Sequence, residues 1–239
     1  MLVTAIVLAA GRGLRFGSKI TKPLVNIKAK PIVIYSLLAL SRHARIKDII
    51  VTANLLNRKG IIRAIKQYRI KKIKAVVLGG RKRQDSVRRA LKEVDRCVDL
   101  VLIHDAARPF IDPRQVTRLI TEAESSSAAI LGVPVKATIK EVCVCQLSES
   151  RKVRVKKTLN RDRLWEIQTP QAFSRDLILD AYRRFGNTEA TDDAMLVEKC
   201  GAPVRLVLGS YNNIKITTPE DLIIAEAMLG KGKGKGYSG

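Results

Sequence analysis

Val3-Thr4-Ala5-Ile6-Val7-Leu8-Ala9-Ala10-Gly11-Arg12-Gly13-Leu14-Arg15-Phe16-Gly17 opens this chain, with Lys22 just beyond. The first six residues read as a buried strand, and small residues and cations follow at once. That order lets a backbone wrap a polyphosphate. Glycines permit close approach and φ > 0, so successive N–H groups can point at anionic oxygens. Arg15 and Lys22 add full positive charge where phosphate charge must be balanced. Two commoner phosphate loops are excluded by the letters. No register of residues 11–22 gives G-x-x-x-x-G-K-[ST]. A G-x-G-x-x-G fingerprint fails because the third glycine, Gly17, comes one residue late. The acidic residue that fingerprint needs about 20 positions on is also missing, since residues 26–30 are Asn, Ile, Lys, Ala and Lys.

Outward from this loop, apolar runs and helical patterns alternate. Strands are expected at 3–8, 48–53, 73–78, 100–103, 128–133, 204–208 and 214–216. Helices are expected at 31–42, 55–68 and 84–94, then from Asp112-Pro113, at 174–185 and 191–200, and from Thr218-Pro219-Glu220-Asp221. Such alternation predicts an α/β fold: a mostly parallel sheet with helices on both faces. Ligands then sit at the carboxyl ends of the strands, which puts the first loop on the functional edge. The pattern breaks at 134–165, where valines alternate with polar residues around Ser148-Glu149-Ser150. This predicts a protruding β-hairpin arm. An arm has little core of its own, so a homodimer formed through it is the economical expectation.

The chain has 239 residues, 46% of them hydrophobic, enough for one domain at 1–229 with a full core. Residues 230–239, Gly and Lys-rich, read as a flexible tail. No apolar run reaches membrane-spanning length, and the start lacks a signal-peptide pattern. Four cysteines without a metal-ligand spacing read as reduced thiols of a cytoplasmic protein. The net charge of +23 raises nucleic acid as a partner. Aromatic content of 4% leaves few stacking platforms, and the basic residues are scattered, so a solvated basic surface is favoured.

Three further motifs fall where strands end. Gly79-Gly80-Arg81-Lys82-Arg83-Gln84-Asp85-Ser86 is a glycine turn entering a helix, whose N-terminus favours anions and polar groups. His104-Asp105-Ala106-Ala107-Arg108-Pro109 closes a buried strand, and Asp105 is placed for a hard cation or a ribose hydroxyl. Asn213-Ile214-Lys215 puts a cation within reach of a phosphate.

Together with Pro134-Val-x-x-Thr138-x-Lys140, Thr169-Pro-Gln171 and Thr191-Asp-Asp193, these motifs resemble in order and spacing the 2-C-methyl-D-erythritol 4-phosphate cytidylyltransferases, from residue 3 to about 229. The resemblance implies a Rossmann-like nucleotidyltransferase sheet. It also implies transfer of CMP from CTP to methylerythritol phosphate, with pyrophosphate released, in non-mevalonate isoprenoid biosynthesis. By the same resemblance Arg15, Lys22 and Lys215 are catalytic. Ala10, Gly11, Arg12, Gly13, Gly80, Arg83, Ser86 and Ala107 bind the nucleotide. Asp105, Thr138, Arg161 and Lys215 bind the sugar phosphate, with Thr138 and Arg161 reaching into the partner subunit's site. Mg²⁺ is the implied cofactor, held mainly by the triphosphate, with Asp105 as the candidate protein ligand. The nucleophile is an ionised phosphate oxygen, so no general base is required and catalysis is positioning plus charge neutralisation.

Two residues depart from that family's pattern. Pro23 follows Lys22 where glutamine is usual, and Ala137 stands where aspartate usually precedes Thr138. Ribitol-5-phosphate cytidylyltransferases resemble the same loops but have Ala-Gly where this chain has Ala9-Ala10, and valine where it has Ala107. A broader sugar-1-phosphate nucleotidyltransferase explains Lys22-Pro23 but not residues 104–109. A basic RNA-binding protein explains the charge and none of the ordered motifs.

Overall fold

Burial along β1 (Val3–Leu8) sets the layers: Val3, Ala5 and Val7 pack into one apolar cluster and Ile6 into another. A strand apolar on both sides needs cover on both faces. A computed structural model of the chain describes residues 1–11, 21–147 and 150–231. After β1 come β2 (Asn26–Ile27), β3 (Lys30–Pro31), α1 (Ile32–Arg42), β4 (Ile46–Ala53), α2 (Arg58–Gln67) and β5 (Ile73–Leu78). The middle of the chain forms α3 (Arg83–Leu91), β6 (Leu100–Asp105), α4 (Pro113–Ser126), β7 (Ala128–Pro134), β8 (Lys140–Leu147) and β9 (Ser150–Thr158). Last are β10 (Trp165–Ser174), α5 (Arg175–Phe185), α6 (Ala194–Lys199), β11 (Arg205–Leu208) and α7 (Pro219–Lys231).

The central sheet has the order β11-β7-β10-β6-β1-β4-β5. Its neighbours pair in parallel except β10, which is antiparallel to both β6 and β7. Helices α1, α2 and α4 cover one face, and α3, α5 and α6 the other, as the alternation predicts. Each fully buried Ile or Leu in these clusters contributes about 1.5–3 kcal/mol. A smaller cluster of Ile27, Ile32, Ile216 and Ala225 seats α7 against β2 and the start of α1. Register matters for function: Leu8 pairs with Thr52 and with Asp105, so the carboxyl ends of β1, β4 and β6 lie level.

Capping explains the ends of α4. The Asp112 Oδ1 accepts from Arg114 N at 2.8 Å, Pro113 occupies the first turn, and Ser127 closes the helix at φ 65°. Such a cap stabilises by about 1 kcal/mol. At the start of α7 the carboxylate of Asp221 reaches back to the N–H groups of Thr217 (2.7 Å) and Thr218 (2.9 Å), the returning half of a capping box.

The structure corrects the sequence reading in three places. No strand is expected at 166–173, yet β10 runs through the middle of the sheet. Pro170 hides it, because proline cannot donate to a ladder; the register shifts between Gln168 and Gln171 to accommodate it. Residues 214–216 are not a strand; Ile216 N donates to Ala107 O at 2.9 Å, beyond the end of β6. The helix expected from 191 begins at Ala194, because Asp192 Oδ1 takes Met195 N at 3.0 Å and holds the preceding residues in a bend. The arm is present as a separate two-stranded antiparallel sheet, β8 with β9. Ser148 and Glu149 of its expected turn, and residues 232–239 of the tail, lie outside the described residues.

Candidate active site

The level ends of β1, β4, β5 and β6 floor a cleft of about 1160 Å³. Its lining brings together Ala10, Gly11, Lys22, Gly80, Arg83, Ser86, Asp105, Ala107 and Lys215. These nine were singled out from widely separated motifs, and the sheet topology collects them. Arg12, Gly13 and Arg15 lie outside the described residues. Thr138 and Arg161 are exposed at the root of the arm, outside the cleft lining, where Arg161 Nη1 donates to Lys136 O at 2.8 Å.

Asp105 is the anionic centre. Lys215 Nζ lies 2.6 Å from its Oδ2 and Arg83 Nε 3.4 Å from its Oδ1. Burial works against its charge, but Arg83 and Lys215 outweigh that and hold the carboxyl well below the usual carboxylate range. Arg83 is itself gripped from behind: its Nη2 lies 2.7 Å from Oδ2 of the fully buried Asp193. Tyr182 OH donates to the other Asp193 oxygen at 2.5 Å. Burial alone would lower the pKa of Arg83, and Asp193 and Asp105 together raise it far above its ordinary value.

A second buried network fixes where Asp105 and Lys215 stand. Asp105 N donates to Thr169 Oγ1 at 3.0 Å, and Thr169 lies 3.1 Å from His104 Nδ1. His104 Nε2 sits 3.0 Å from Arg108 O, which can only accept, so Nε2 carries the proton and Nδ1 accepts from Thr169. Burial pushes the His104 pKa down to about 4, which keeps the ring neutral. Arg108 donates to Asn213 O at 2.7 Å, and Asn213 Nδ2 donates to Thr169 O at 2.9 Å. The segment bearing Lys215 is thereby anchored to the strand end bearing Asp105. Lys22 reaches the same segment, donating to Ile216 O at 2.9 Å.

The glycine turn has a steric cause. A Cβ at Gly79 would fall 2.4 Å from Ala10 Cβ and 2.6 Å from Ser86 Oγ, so only glycine lets the two loops approach. Ser86 Oγ accepts from Gly80 N at 3.1 Å and shapes the turn. Among the described residues no group of three His, Cys, Asp or Glu could hold a metal. Asp105 is the only carboxylate in the described lining.

A cleft with several fixed cations, one carboxylate and backbone N–H groups suits the meeting of two anions. The family model that matches residues 3–231 is that of IspD, 2-C-methyl-D-erythritol 4-phosphate cytidylyltransferase. The chain belongs to this cytidylyltransferase family. Proteins of that name from Alkaliphilus metalliredigens and Dictyoglomus thermophilum are 42% and 44% identical to it. The first alignment covers 97% of this chain and 94% of the relative, the second 96% and 97%. The crystal structure of 4-diphosphocytidyl-2C-methyl-D-erythritol synthase from Anaerococcus prevotii superposes with a TM-score of 0.82, at 32% identity and 96% coverage of both chains. That of the Thermus thermophilus cytidylyltransferase gives 0.74 at 31% identity, covering 96% of this chain and all of the other. These relatives bear the methylerythritol name, so the ribitol reading is not favoured.

Sequence reasoning missed several supports of this cytidylyltransferase cleft. Asp193 and Thr169 were seen only as members of motifs, with no role. Tyr182 carries no signal either, since its bond to Asp193 crosses from α5 to the turn before α6 and no local spacing encodes it.

Proposed function

We propose that this chain transfers CMP from CTP to 2-C-methyl-D-erythritol 4-phosphate, forming 4-diphosphocytidyl-2-C-methyl-D-erythritol and pyrophosphate. The observation that carries this is the convergence of Lys22, Arg83, Lys215 and Asp105 on one cleft at the strand ends. A phosphate oxygen of the acceptor attacks the α-phosphorus of CTP. The bond from that phosphorus to the bridging oxygen breaks, and pyrophosphate leaves with the electron pair. The attacking oxygen is already ionised, so no side chain must remove a proton. What the protein supplies is position and charge neutralisation. Lys22 and Lys215 offset charge on the reacting phosphates, with Arg15 as a third cation from the glycine-rich loop. Ala10, Gly11, Arg12, Gly13, Gly80, Arg83, Ser86 and Ala107 surround the nucleotide. Asp105, kept ionised, accepts from hydroxyl groups of the acceptor sugar.

Mg²⁺ fits the donor set. It takes hard oxygen ligands and is commonly held by one or two carboxylates plus substrate phosphates. Asp105 would be its protein ligand, and the ion would add charge neutralisation on the triphosphate. Residues 1–229 act as one nucleotidyltransferase domain in the cytoplasm, with 134–165 as its arm. A second copy of the chain covers Val142, Val153 and Val155 on the arm and Trp165, Ile167, Leu206 and Leu208 on β10 and β11, all exposed here. In that dimer Thr138 and Arg161 serve the partner subunit's site. No described helix is long and apolar enough to cross a membrane.

The test is pyrophosphate release from CTP with either methylerythritol phosphate or ribitol 5-phosphate as acceptor. Turnover is expected with the first. Turnover with only the second would sink the assignment.

A further inference from the structure

Asn57 stands at the N-cap of α2, where an asparagine ordinarily caps helix N–H groups. Its side chain makes no such bond. It is fully buried, and its Nδ2 donates to Ala9 O at 2.8 Å. Asn54 does the same one residue further along, its Nδ2 donating to Ala10 O at 3.0 Å. The two amides also brace one another. Asn57 Oδ1 accepts from Asn54 N at 2.8 Å, and Asn54 Oδ1 accepts from Leu56 N and Asn57 N at 2.9 Å each.

Two successive carbonyls at the mouth of the glycine-rich loop are thus drawn to one short turn. A trans peptide sets each N–H opposite the carbonyl that precedes it. The N–H groups of Ala10 and Gly11 therefore face away from the side-chain amides of Asn54 and Asn57 on a common side, where one anion can accept from both. Both residues line the cleft. We propose that Asn54 and Asn57 are positioning residues that preform a nest for the triphosphate at Ala10 and Gly11. This rests on reading the cleft as the CTP site. A merely structural role, satisfying two carbonyls that would otherwise be buried unpaired, would alter stability and leave ligand discrimination alone.

The experiment compares wild type, Asn54→Ala and Asn54→Asp in steady-state turnover, with pyrophosphate and cytidine as competitors of CTP. Asn54→Asp keeps both acceptor bonds to the turn but cannot donate to Ala10, so it carries the test if the alanine variant fails to fold. For Asn54→Ala, KM for CTP and the inhibition constant of pyrophosphate should rise together by about tenfold, the worth of a bond made to charge-binding machinery. The KM for methylerythritol phosphate and the inhibition constant of cytidine should stay at wild-type values. Unchanged pyrophosphate inhibition in both variants, or an equal loss for cytidine, would overturn the proposal. A wild-type protein that does not turn over CTP would overturn the reading of the cleft instead.

Discussion

Burial opposes a charge on Asp105, and two cations from opposite sides, Arg83 and Lys215, overcome that opposition. The arrangement has a direct consequence for substrate. The backbone next to Lys215 is anchored through Asn213, and its ammonium is presented at the cleft on Asp105. Lys215→Ala should lower kcat by about a hundredfold with little change in KM for CTP, because a preorganised charge acts chiefly on the transition state. Steady-state pyrophosphate release checks this, and a wild-type kcat in the variant would remove Lys215 from the chemistry. Asp105 was legible in the sequence because it closes an apolar strand, and Lys22 and Lys215 through motifs whose order and spacing resemble the family's; the cleft brings all three together. The grip of Asp193 and Tyr182 on Arg83 was not legible. It is a buried contact among three segments, and no local spacing encodes it.

Among the elements, the arm is the one whose sequence and structure agree most simply. Alternating valines predict a hairpin, and β8 and β9 pair with Val142 opposite Val155. What the pairing leaves is an apolar side facing outward, with Val142, Val153 and Val155 at 45%, 57% and 57% exposure. A two-stranded hairpin cannot bury that side by itself. The double variant Val153→Asp with Val155→Asp should convert a dimer to a monomer in sedimentation equilibrium. It should also cut turnover of methylerythritol phosphate at least about tenfold, since Thr138 and Arg161 would lose the partner's site. A wild-type protein that is monomeric and fully active would contradict this role of the arm. Strand β10 shows where element-level reading stops. Its Pro170 and polar residues Gln168, Thr169 and Gln171 argue against a central strand. They are there because the middle of this strand, beside the end of β6, carries the buried network behind Asp105, so chemistry outweighed local propensity.

Across the whole molecule, the parallel order of β1, β4, β5 and β6 matters more than any single motif, because it levels four strand ends around one cleft. Alternating periodicity made that order foreseeable, and the antiparallel insertion of β10 did not disturb it. The net charge of +23 acts at this scale too. Both substrates are polyanions, and a basic surface raises their concentration near the protein over about a Debye length. The reaction itself is best tested by phosphorus NMR of the protein incubated with CTP, Mg²⁺ and methylerythritol phosphate. The expected spectrum gains pyrophosphate and one coupled pair of signals from an unsymmetrical diphosphate diester, while the CTP and methylerythritol phosphate signals fall in step. Formation of orthophosphate and CDP, with methylerythritol phosphate untouched, would contradict transfer of CMP.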